Sequence, residues 1–134
     1  MTLKPPQCIT VRVRYAETDK MGVVYHANYF TWFEIGRCEL LRAIGRSYRE
    51  MEASGIGLPV IEAHCEYRSP AHYDDELVVK TRGTLLSRAR VEFDYEISRP
   101  SDATINAVGR TVHAAVDATG RPCRLPDYIR ELLQ

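Results

Sequence analysis

The stretch from Asn28 to about Arg46 constrains the fold more than any other part of the chain, because its apolar residues recur with helical spacing. Asn28 is a suitable N-cap and Gly45 a suitable stop signal, so this stretch predicts one long helix. Gly36 in its interior costs about 1 kcal/mol relative to alanine, and close backbone packing would compensate for that cost. The apolar side chains surround so much of the helix that we expect other structure, such as a curved sheet, to wrap it. They are Phe30, Trp32, Phe33, Ile35, Cys38, Leu40, Leu41 and Ile44.

Strand-like segments lie on both sides of this helix. The first, residues 8–15, alternates strictly, and its apolar positions, including Tyr15 at the end, are predicted to face inward. Four more strands are predicted after the helix, and they are residues 58–68, 76–86, 90–98 and 104–117. Short turns join the last three, which predicts an antiparallel meander. Residues 47–53 predict a short helix, and Pro126 lies near the first turn of another at the C-terminal end.

The order of these elements defines an expected architecture. The chain has 134 residues, which suits a single domain with a substantial core, and no repeat or linker divides it. One strand, a long helix, four strands and a short helix predict an α+β fold with one antiparallel sheet around one buried helix. Residues 1–7, which contain Pro5-Pro6, are predicted to form an extended tail.

Charge and composition exclude several classes of function. The formal net charge is zero, so no global field favours nucleic acid or an anionic membrane as a partner. The four cysteines and four histidines are scattered without ligand spacing, which argues against a metal site. Neither a signal peptide nor a long uncharged apolar run is present, so no membrane span is predicted and the cytoplasm is the expected location.

The loop between the first strand and the long helix holds the candidate chemistry. It contains Asp19, a turn glycine at Gly22, and His26 at the predicted helix N-terminus. A carboxylate beside unpaired helix N–H groups can promote attack on a carbonyl, because those groups can hold the oxyanion. The alternative is a capped loop in which Asp19 accepts hydrogen bonds from nearby N–H groups. The apolar run Val23-Val24-Tyr25 predicts that the loop lines a pocket.

Both the order of elements and this loop resemble a known family. The motif is Tyr15-x-Glu17-Thr18-Asp19-x-Met21-Gly22-Val23-Val24-Tyr25-His26-x-x-Tyr29. It resembles the signature of the hotdog-fold 4-hydroxybenzoyl-CoA thioesterase family, and Val24-Tyr25-His26-Ala27 resembles the YbgC-type acyl-CoA thioesterases within it. Further residues fit that branch, and they are Glu34, Arg37, Tyr67-Arg68-Ser69-Pro70-Ala71 and Tyr73-Asp74-Asp75. The resemblance extends from about Cys8 to the C-terminal helix; it is specific for the family and weak for the substrate.

The resemblance implies roles for three residues of the motif. Asp19 is implied to be catalytic, either as a general base for water or as a nucleophile that forms a mixed anhydride. His26 is implied to supply its backbone N–H to the thioester oxygen, with a role of its ring in orienting water or the leaving sulfur as an open alternative. Tyr15 is implied to support the site through its hydroxyl, and core packing is the alternative for it.

Substrate binding is assigned to two groups of residues. Arg88 and Arg90, in the turn between the third and fourth strands, are the candidates for binding the phosphates of coenzyme A, as the resemblance implies. Solvated surface charge is the alternative for this pair. Val24, Tyr25 and Tyr29 are expected to line the acyl pocket. Glu34 and Arg37 are expected to pair with each other on the helix.

The predicted function is therefore hydrolysis of an acyl-CoA without a metal or any other cofactor. An aromatic substrate, such as hydroxybenzoyl- or dihydroxynaphthoyl-CoA, and an acyl carrier protein conjugate remain open alternatives. A hotdog module that binds acyl thioesters without hydrolysing them is the alternative of another class. The resemblance also implies a homodimer that completes the active site, commonly within a homotetramer, and this assembly would cover exposed strand edges.

Overall fold

The computed structural model describes residues 6–43 and 48–133, and the sheet in this part of the chain has five strands. The strands are β1 (Gln7–Arg12), β2 (Val60–Tyr67), β3 (Glu76–Leu85), β4 (Arg90–Arg99) and β5 (Thr104–Ala114). The helices are α1 (Asn28–Ala43), α2 (Tyr48–Ala53) and α3 (Asp127–Leu133). The sheet order is β1-β3-β4-β5-β2, and every pair is antiparallel. The predicted α+β class and the meander of three consecutive strands are confirmed.

Helix α1 packs on the sheet through its largest apolar side chains. Phe33 and Leu41 are fully buried, and the Phe33 ring stacks on Tyr95 of β4 at 4.3 Å with 10° between the planes. A β carbon at Gly109 of β5 would lie 2.5 Å from the Phe33 ring, so glycine makes room for that ring. Deleting a buried phenylalanine side chain costs about 3–5 kcal/mol, which makes this contact a main anchor of α1.

The sheet covers only one face of α1, so the prediction of a wrapped helix holds for that face alone. Ile35 is 39% exposed, and Cys38 on the same outer face is half-buried. Both line a shallow groove together with Glu34 and Arg42. A five-stranded sheet can enclose the side of the helix that it touches, and nothing in the described chain lies over the other side.

The first strand is shorter than its alternation predicts. β1 starts at Gln7, inside the predicted tail, and ends at Arg12, while residues 1–5 of that tail lie outside the described part. Tyr15 then begins a single 3-10 turn and is 77% exposed, so its predicted inward orientation is wrong. The chain leaves the sheet because the Glu17 carboxylate accepts the backbone N–H of Arg14 at 2.8 Å and starts the turn.

The other boundaries differ by a few residues from the sequence predictions. α1 runs to Ala43, and its predicted end near Arg46 lies outside the described residues. β2 and β5 are shorter than predicted, because residues 58–59 and 115–117 continue as irregular chain and isolated bridges. The short helix before β2 and the C-terminal helix are where the sequence predicts them.

A chain of buried polar groups crosses the core beside α1. Nδ1 of the fully buried His113 lies 2.8 Å from the carbonyl oxygen of Leu58, so this nitrogen carries the proton and donates it. Nε2 then accepts from the Thr111 hydroxyl at 2.8 Å, and Thr111 in turn accepts from the Tyr95 hydroxyl at 2.6 Å. Burial lowers the pKa of His113, in agreement with a neutral ring.

β2 differs from the other strands because it is open to solvent on both faces. In the central strand β4, buried residues alternate with half-buried or exposed ones, whereas seven of the eight residues of β2 are exposed and one is half-buried. Val60 and Ile61 are 46% and 44% exposed although they are apolar. β2 is therefore an edge strand that is largely uncovered in the described chain; Cys65 packs against the core, and the Tyr67 ring meets that of Tyr29.

Candidate active site

The loop that carries Asp19 folds back on itself before α1 begins. Thr18 pairs with Val24 across the loop, and the Asp19 N–H donates to the Val23 carbonyl oxygen at 2.8 Å. Gly22 turns the chain with φ of +80°, a conformation that glycine adopts without strain. A bridge between Val23 and His72 joins the loop to the segment before β3. These contacts fix the backbone on both sides of the Asp19 carboxylate.

The two oxygens of the Asp19 carboxylate have different surroundings. Oδ1 accepts the backbone N–H of Met21 at 2.9 Å and that of Val23 at 3.4 Å, so this oxygen caps the loop. Oδ2 has no hydrogen-bond partner within residues 6–43 and 48–133, and the side chain is only half-buried. One oxygen therefore holds the carboxylate in place, and the other is available to a substrate or a water molecule.

The start of α1 presents backbone donors in the same region. The N–H groups of Asn28 and Tyr29 donate to the carbonyl oxygens of Tyr25 and His26 at 3.0 and 3.4 Å. The N–H groups of His26 and Ala27 have no acceptor in the described chain. Unpaired N–H groups at a helix start carry partial positive charge, which suits an anion or a polarised carbonyl oxygen.

Glu17 holds this helix start in place, and this contact corrects the predicted role of Asn28. The Asn28 side-chain amide donates to the Glu17 carbonyl oxygen at 2.8 Å instead of accepting an N–H of its own helix. The same carbonyl accepts the Tyr25 N–H at 2.8 Å. Asn28 thus ties the helix to the preceding 3-10 turn, because the Glu17 carbonyl lies within its reach.

Two open grooves meet at Asp19. The first has a volume of about 680 Å³, and its other lining residues are Tyr15, Ala16, Thr18, Lys20, Tyr25 and Asn28. The second has a volume of about 320 Å³, and its other lining residues are Val23, Val24, His26, Tyr29, Tyr67, Arg68, Ser69 and Pro70. Asp19 lines both grooves, and no other residue that the structure describes does so. A substrate that extends along both grooves would place its central bond next to this carboxylate.

Aromatic rings form one wall of the second groove. Tyr29 is buried, and its ring meets those of Trp32 and Tyr67 edge-on, each at 5.2 Å. The Tyr67 hydroxyl donates to the carbonyl oxygen of His26 at 2.9 Å. Sequence reasoning missed Tyr67 as a site residue, although the resemblance includes its segment. Its position at the end of a strand, just before Ser69-Pro70, is the signal that could have found it.

The predicted residues near Asp19 fall into buried and exposed groups. Val24 is buried beside Tyr29, and Tyr25 is 49% exposed between the groove and solvent. The Tyr15 side chain lines the first groove, where its ring meets that of Tyr73 edge-on at 5.7 Å. Tyr15 is thus next to the site, and a core-packing role is wrong for it.

Arg88 and Arg90 lie at the opposite end of the sheet from Asp19. The Asp19 loop contacts the segment before Glu76, where β3 begins, and the two arginines follow Leu85, where β3 ends. The 10 residues of β3 separate the two ends by roughly 30 Å at about 3.3 Å per residue. Within one chain, these arginines and Asp19 cannot contact the same short segment of a ligand.

The expected pair between Glu34 and Arg37 does not form. No ion pair joins them in the described part of the chain, and Glu34 is exposed on the outer face of α1. Arg37 points toward the core instead, close enough to Tyr95 that it opposes the rise in the pKa of that phenol, which burial raises. The i, i+3 spacing permits a pair, but the two side chains point to different surroundings.

Arg99 of β4 anchors the segment that lines the second groove. Its guanidinium donates to the Asp75 carboxylate at 2.8 Å and to the Pro70 carbonyl oxygen at 3.3 Å. It also binds both oxygens of Asp102, and this pairing lowers the pKa of Asp102 to about 2. The wall formed by Ser69 and Pro70 is therefore fixed to the sheet through charge-assisted bonds.

Neither a metal cluster nor a membrane-spanning helix is found in the described residues. No group of three or more His, Cys, Asp or Glu side chains within 6–43 and 48–133 is placed to hold a metal ion. Among the helices described, none is both long and apolar enough to cross a membrane.

Comparison with known proteins agrees with this geometry. The sequence profile of the Thioesterase-like superfamily matches residues 13–133. YneP of Bacillus subtilis is 37% identical over 80% of this chain and 77% of its own length. The acyl-CoA thioester hydrolase YbgC of Escherichia coli is 32% identical over 89% of each chain.

A solved structure extends the comparison to three dimensions. The DHNA-CoA thioesterase of Staphylococcus aureus superposes with a TM-score of 0.86 at 36% identity, covering 94% of this chain and 85% of the other. The predicted hotdog fold and the predicted family are confirmed. The chain belongs to the Thioesterase-like superfamily of hotdog-fold proteins.

Proposed function

We propose that this protein is an acyl-CoA thioesterase, which hydrolyses an acyl-CoA to the free acid and coenzyme A. The observation that carries the proposal is the position of Asp19, whose unpaired oxygen lies where two grooves meet beside the start of α1. The similarity to YbgC, an acyl-CoA thioester hydrolase, supports the same activity. The grooves accommodate the two arms of a thioester, with the reacting carbonyl next to Asp19.

The proposed reaction begins with the carbonyl oxygen at the unpaired N–H groups of His26 and Ala27. These donors stabilise the negative charge that develops on the oxygen when the carbonyl is attacked. Asp19 either removes a proton from the attacking water or attacks the carbonyl itself to form a mixed anhydride. In either route the C–S bond breaks, and the thiolate of coenzyme A leaves and takes up a proton. In the second route this step yields the anhydride, and water then hydrolyses it to the free acid and restores Asp19.

The two grooves suggest how the substrate lies. The second groove is lined by Val23, Val24 and Tyr29 and suits the acyl group, because these walls are apolar. The first groove contains Lys20 and the exposed Tyr25 and suits the polar pantetheine arm. Tyr15 lines this first groove, where its hydroxyl is proposed to support the site.

An aromatic acyl-CoA is the second candidate substrate, and the groove wall favours it. The rings of Tyr29 and Tyr67 meet edge-on at 5.2 Å, and that of His26 lies 6.2 Å from Tyr67. Such a wall can contact a flat acyl group through ring edges and faces. The structural neighbour from Staphylococcus aureus is a DHNA-CoA thioesterase, which agrees with this second candidate.

We also propose a homodimer in which β2 pairs with β2 of a second copy, within a dimer or a tetramer. β2 is an edge strand that is open on both faces, and such edges are normally covered. A twofold axis through this edge reverses one sheet relative to the other. The end with Arg88 and Arg90 in one copy then approaches the Asp19 end of the other, where the arginines can bind the phosphates of coenzyme A.

The test is a thiol-release assay over acyl-CoAs of increasing chain length, aromatic acyl-CoAs and an acyl carrier protein conjugate. We expect wild-type turnover of at least one free acyl-CoA and a loss of about 10²-fold or more in Asp19→Asn, the usual scale for a lost general base. Turnover of the carrier protein conjugate alone would replace acyl-CoA as the substrate. No turnover of any thioester would favour a binding module, and an unchanged Asp19→Asn variant would remove Asp19 from the mechanism.

A single turnover in heavy-oxygen water tests whether Asp19 is a nucleophile. If Asp19 is a general base, the label enters the first acid released. If Asp19 is a nucleophile and water attacks its side of the anhydride, the label enters Asp19 and the first acid carries none. A cytoplasmic location remains a prediction from the sequence.

A further inference from the structure

The Tyr67 hydroxyl makes a contact that the proposed reaction does not use. Tyr67 is the last residue of β2, and its side chain lines the second groove. Its hydroxyl donates to the carbonyl oxygen of His26 at 2.9 Å, across 41 residues of sequence. This hydrogen bond connects the edge strand directly to the start of α1.

The acceptor of this bond is part of the peptide group that carries a candidate oxyanion donor. The carbonyl of His26 and the N–H of Ala27 belong to one planar, conjugated amide. A hydrogen bond to the oxygen of an amide draws electron density from its nitrogen, and successive bonds strengthen one another in this way. The Ala27 N–H has no acceptor among the described residues, so the strengthened donor remains available.

The bond also fixes the orientation of this peptide. Apart from Tyr67, the His26 carbonyl oxygen accepts only the Tyr29 N–H within the described chain, at a long 3.4 Å. The bond from Tyr67 is therefore the shorter of the two that hold the His26 carbonyl, and it helps to fix the plane of the His26–Ala27 amide. Since the amide is planar, the Ala27 N–H points to the side opposite the carbonyl.

We propose that Tyr67 is a positioning residue for the oxyanion site, which orients the His26–Ala27 peptide and strengthens the Ala27 N–H as a donor. The inference rests on the proposed thioesterase function. It assigns no direct contact with the reacting atoms to Tyr67. Burial and the neighbouring Cys65 raise the pKa of Tyr67 to about 12, so the phenol keeps the proton that it donates.

Packing of the Tyr67 ring does not explain the hydrogen bond that its hydroxyl group makes. The Tyr67 ring touches Tyr29 and His26 edge-on, but its side chain is 46% exposed. A phenylalanine would keep both ring contacts and lose the bond to the carbonyl, together with the contact between the hydroxyl and the Cys65 thiol. Tyr67→Phe is therefore the informative variant, and Tyr73→Phe, which removes the hydroxyl of an exposed tyrosine, is its matched control.

The first measurement is the amide chemical shift of Ala27 in nitrogen-labelled protein. In Tyr67→Phe we expect the Ala27 nitrogen signal to shift, because the hydrogen bond to the preceding carbonyl is lost, while Tyr73→Phe leaves the signal in place. This measurement needs no turnover, so it tests the contact even if the proposed activity fails. An unchanged Ala27 signal in Tyr67→Phe would overturn the inference.

The second measurement is steady-state kinetics on the best thioester substrate. A donor in an oxyanion site is worth about 10²–10³ in kcat, and a hydrogen bond further along such a network changes its strength by about 10–30%. Tyr67→Phe should therefore lower kcat about two- to eightfold and leave KM unchanged, with no change in Tyr73→Phe. A raised KM at constant kcat would assign Tyr67 to substrate binding instead and overturn the proposal.

The third measurement reports on the carbonyl itself. A carbonyl-labelled thioester is bound to the Asp19→Asn variant, which hydrolyses it slowly, and the infrared frequency of its carbonyl stretch is measured. When Tyr67→Phe is added to this variant, the frequency should move toward that of the free substrate. If no thioester is hydrolysed by the wild type, the proposed function fails while the chemical-shift test still stands. If the wild type is active but the carbonyl frequency in the double variant is unchanged, the proposed role of Tyr67 is wrong and the proposed function still holds.

Discussion

Gly36 of α1 lies directly against Thr81 of β3, with no space for a side chain between them. A β carbon at position 36 would clash with the Thr81 hydroxyl oxygen and would lie 3.0 Å from Cγ1 of Val79. Thr81 and Val79 are both completely buried. The glycine that weakens the helix by propensity is therefore the residue that lets α1 approach the sheet.

We expect Gly36→Ala to destabilise the protein although alanine is the better helix former. Overpacking a core costs about 1–3 kcal/mol, and alanine recovers about 1 kcal/mol of helix propensity, so we expect a net loss of up to about 2 kcal/mol. Urea unfolding of Gly36→Ala, Thr81→Ala and the double variant measures the coupling between them. The double variant should be more stable than the sum of the single effects predicts, whereas strict additivity would contradict the clash.

The ring of His26 should matter less than its backbone. The ring is exposed, and its contacts among the described residues are those with the rings of Tyr25 at 4.5 Å and Tyr67 at 6.2 Å. We expect His26→Ala to keep kcat within about tenfold of wild type. His26→Pro deletes the backbone N–H, so its kcat should fall by a factor of about 10²–10³. Thiol release measures both variants, and circular dichroism checks their folding. A loss of 10² in a folded His26→Ala would assign the role to the ring.

If coenzyme A binds across two copies of the chain, inactive variants should complement one another. Asp19→Asn removes the carboxylate that we propose to react, and the double substitution of Arg88→Ala and Arg90→Ala removes the proposed phosphate contacts at the other end of the sheet. In a mixed dimer, one of the two sites keeps Asp19 together with both arginines.

The measurement is the activity at low acyl-CoA concentration after the two variants are mixed, denatured and refolded together. We expect the mixture to exceed the sum of the separate activities by several-fold, up to about a quarter of wild type for random pairing. A matched mixture of Asp19→Asn with wild type corrects for dilution. Activity that equals the sum of the separate variants would contradict arginines acting across the dimer.

The buried His113 should make stability fall in mildly acidic solution. Burial lowers its pKa in the folded state below the ordinary value of about 6.5, so the unfolded chain binds the proton more readily. The contribution of neutral His113 to the free energy of unfolding is complete above pH 6.5. It is lost as the pH falls through the pKa of His113 in the folded state. Titration of this one group changes the free energy of unfolding by at most about 1.4 kcal/mol per pH unit.

Urea unfolding between pH 5 and pH 8 tests this dependence. His113→Asn should be less stable than wild type at neutral pH but should show a flatter decline toward pH 5. His64→Asn, a substitution of an exposed histidine, is the control and should keep the wild-type slope. A wild-type slope in His113→Asn would show that other groups cause the loss of stability.

The local pattern of the sequence was enough to predict much of the fold. Period-two alternation predicts both ends of β4 to within one residue, because successive side chains of a central strand point alternately toward the core and away from it. Helical spacing places α1 from Asn28 to Ala43, and the motif around Asp19 makes one loop the predicted site of the chemistry. The fold predictions succeed where a residue's surroundings are set by its near neighbours in the chain.

The tertiary structure instead decided the positions of Tyr15, Tyr67 and the two arginines, Arg88 and Arg90. The alternation continues through Tyr15, but it does not show that the chain leaves the sheet after Arg12. The Glu17 carboxylate accepts the Arg14 N–H and starts a turn, so Tyr15 lines the first groove. Tyr67 reaches His26 across 41 residues, and such a contact leaves no periodic signal. Sequence alone determined which residues can do the chemistry, whereas the packing of α1 on the sheet decided which of them meet, because long-range distances depend on the whole fold.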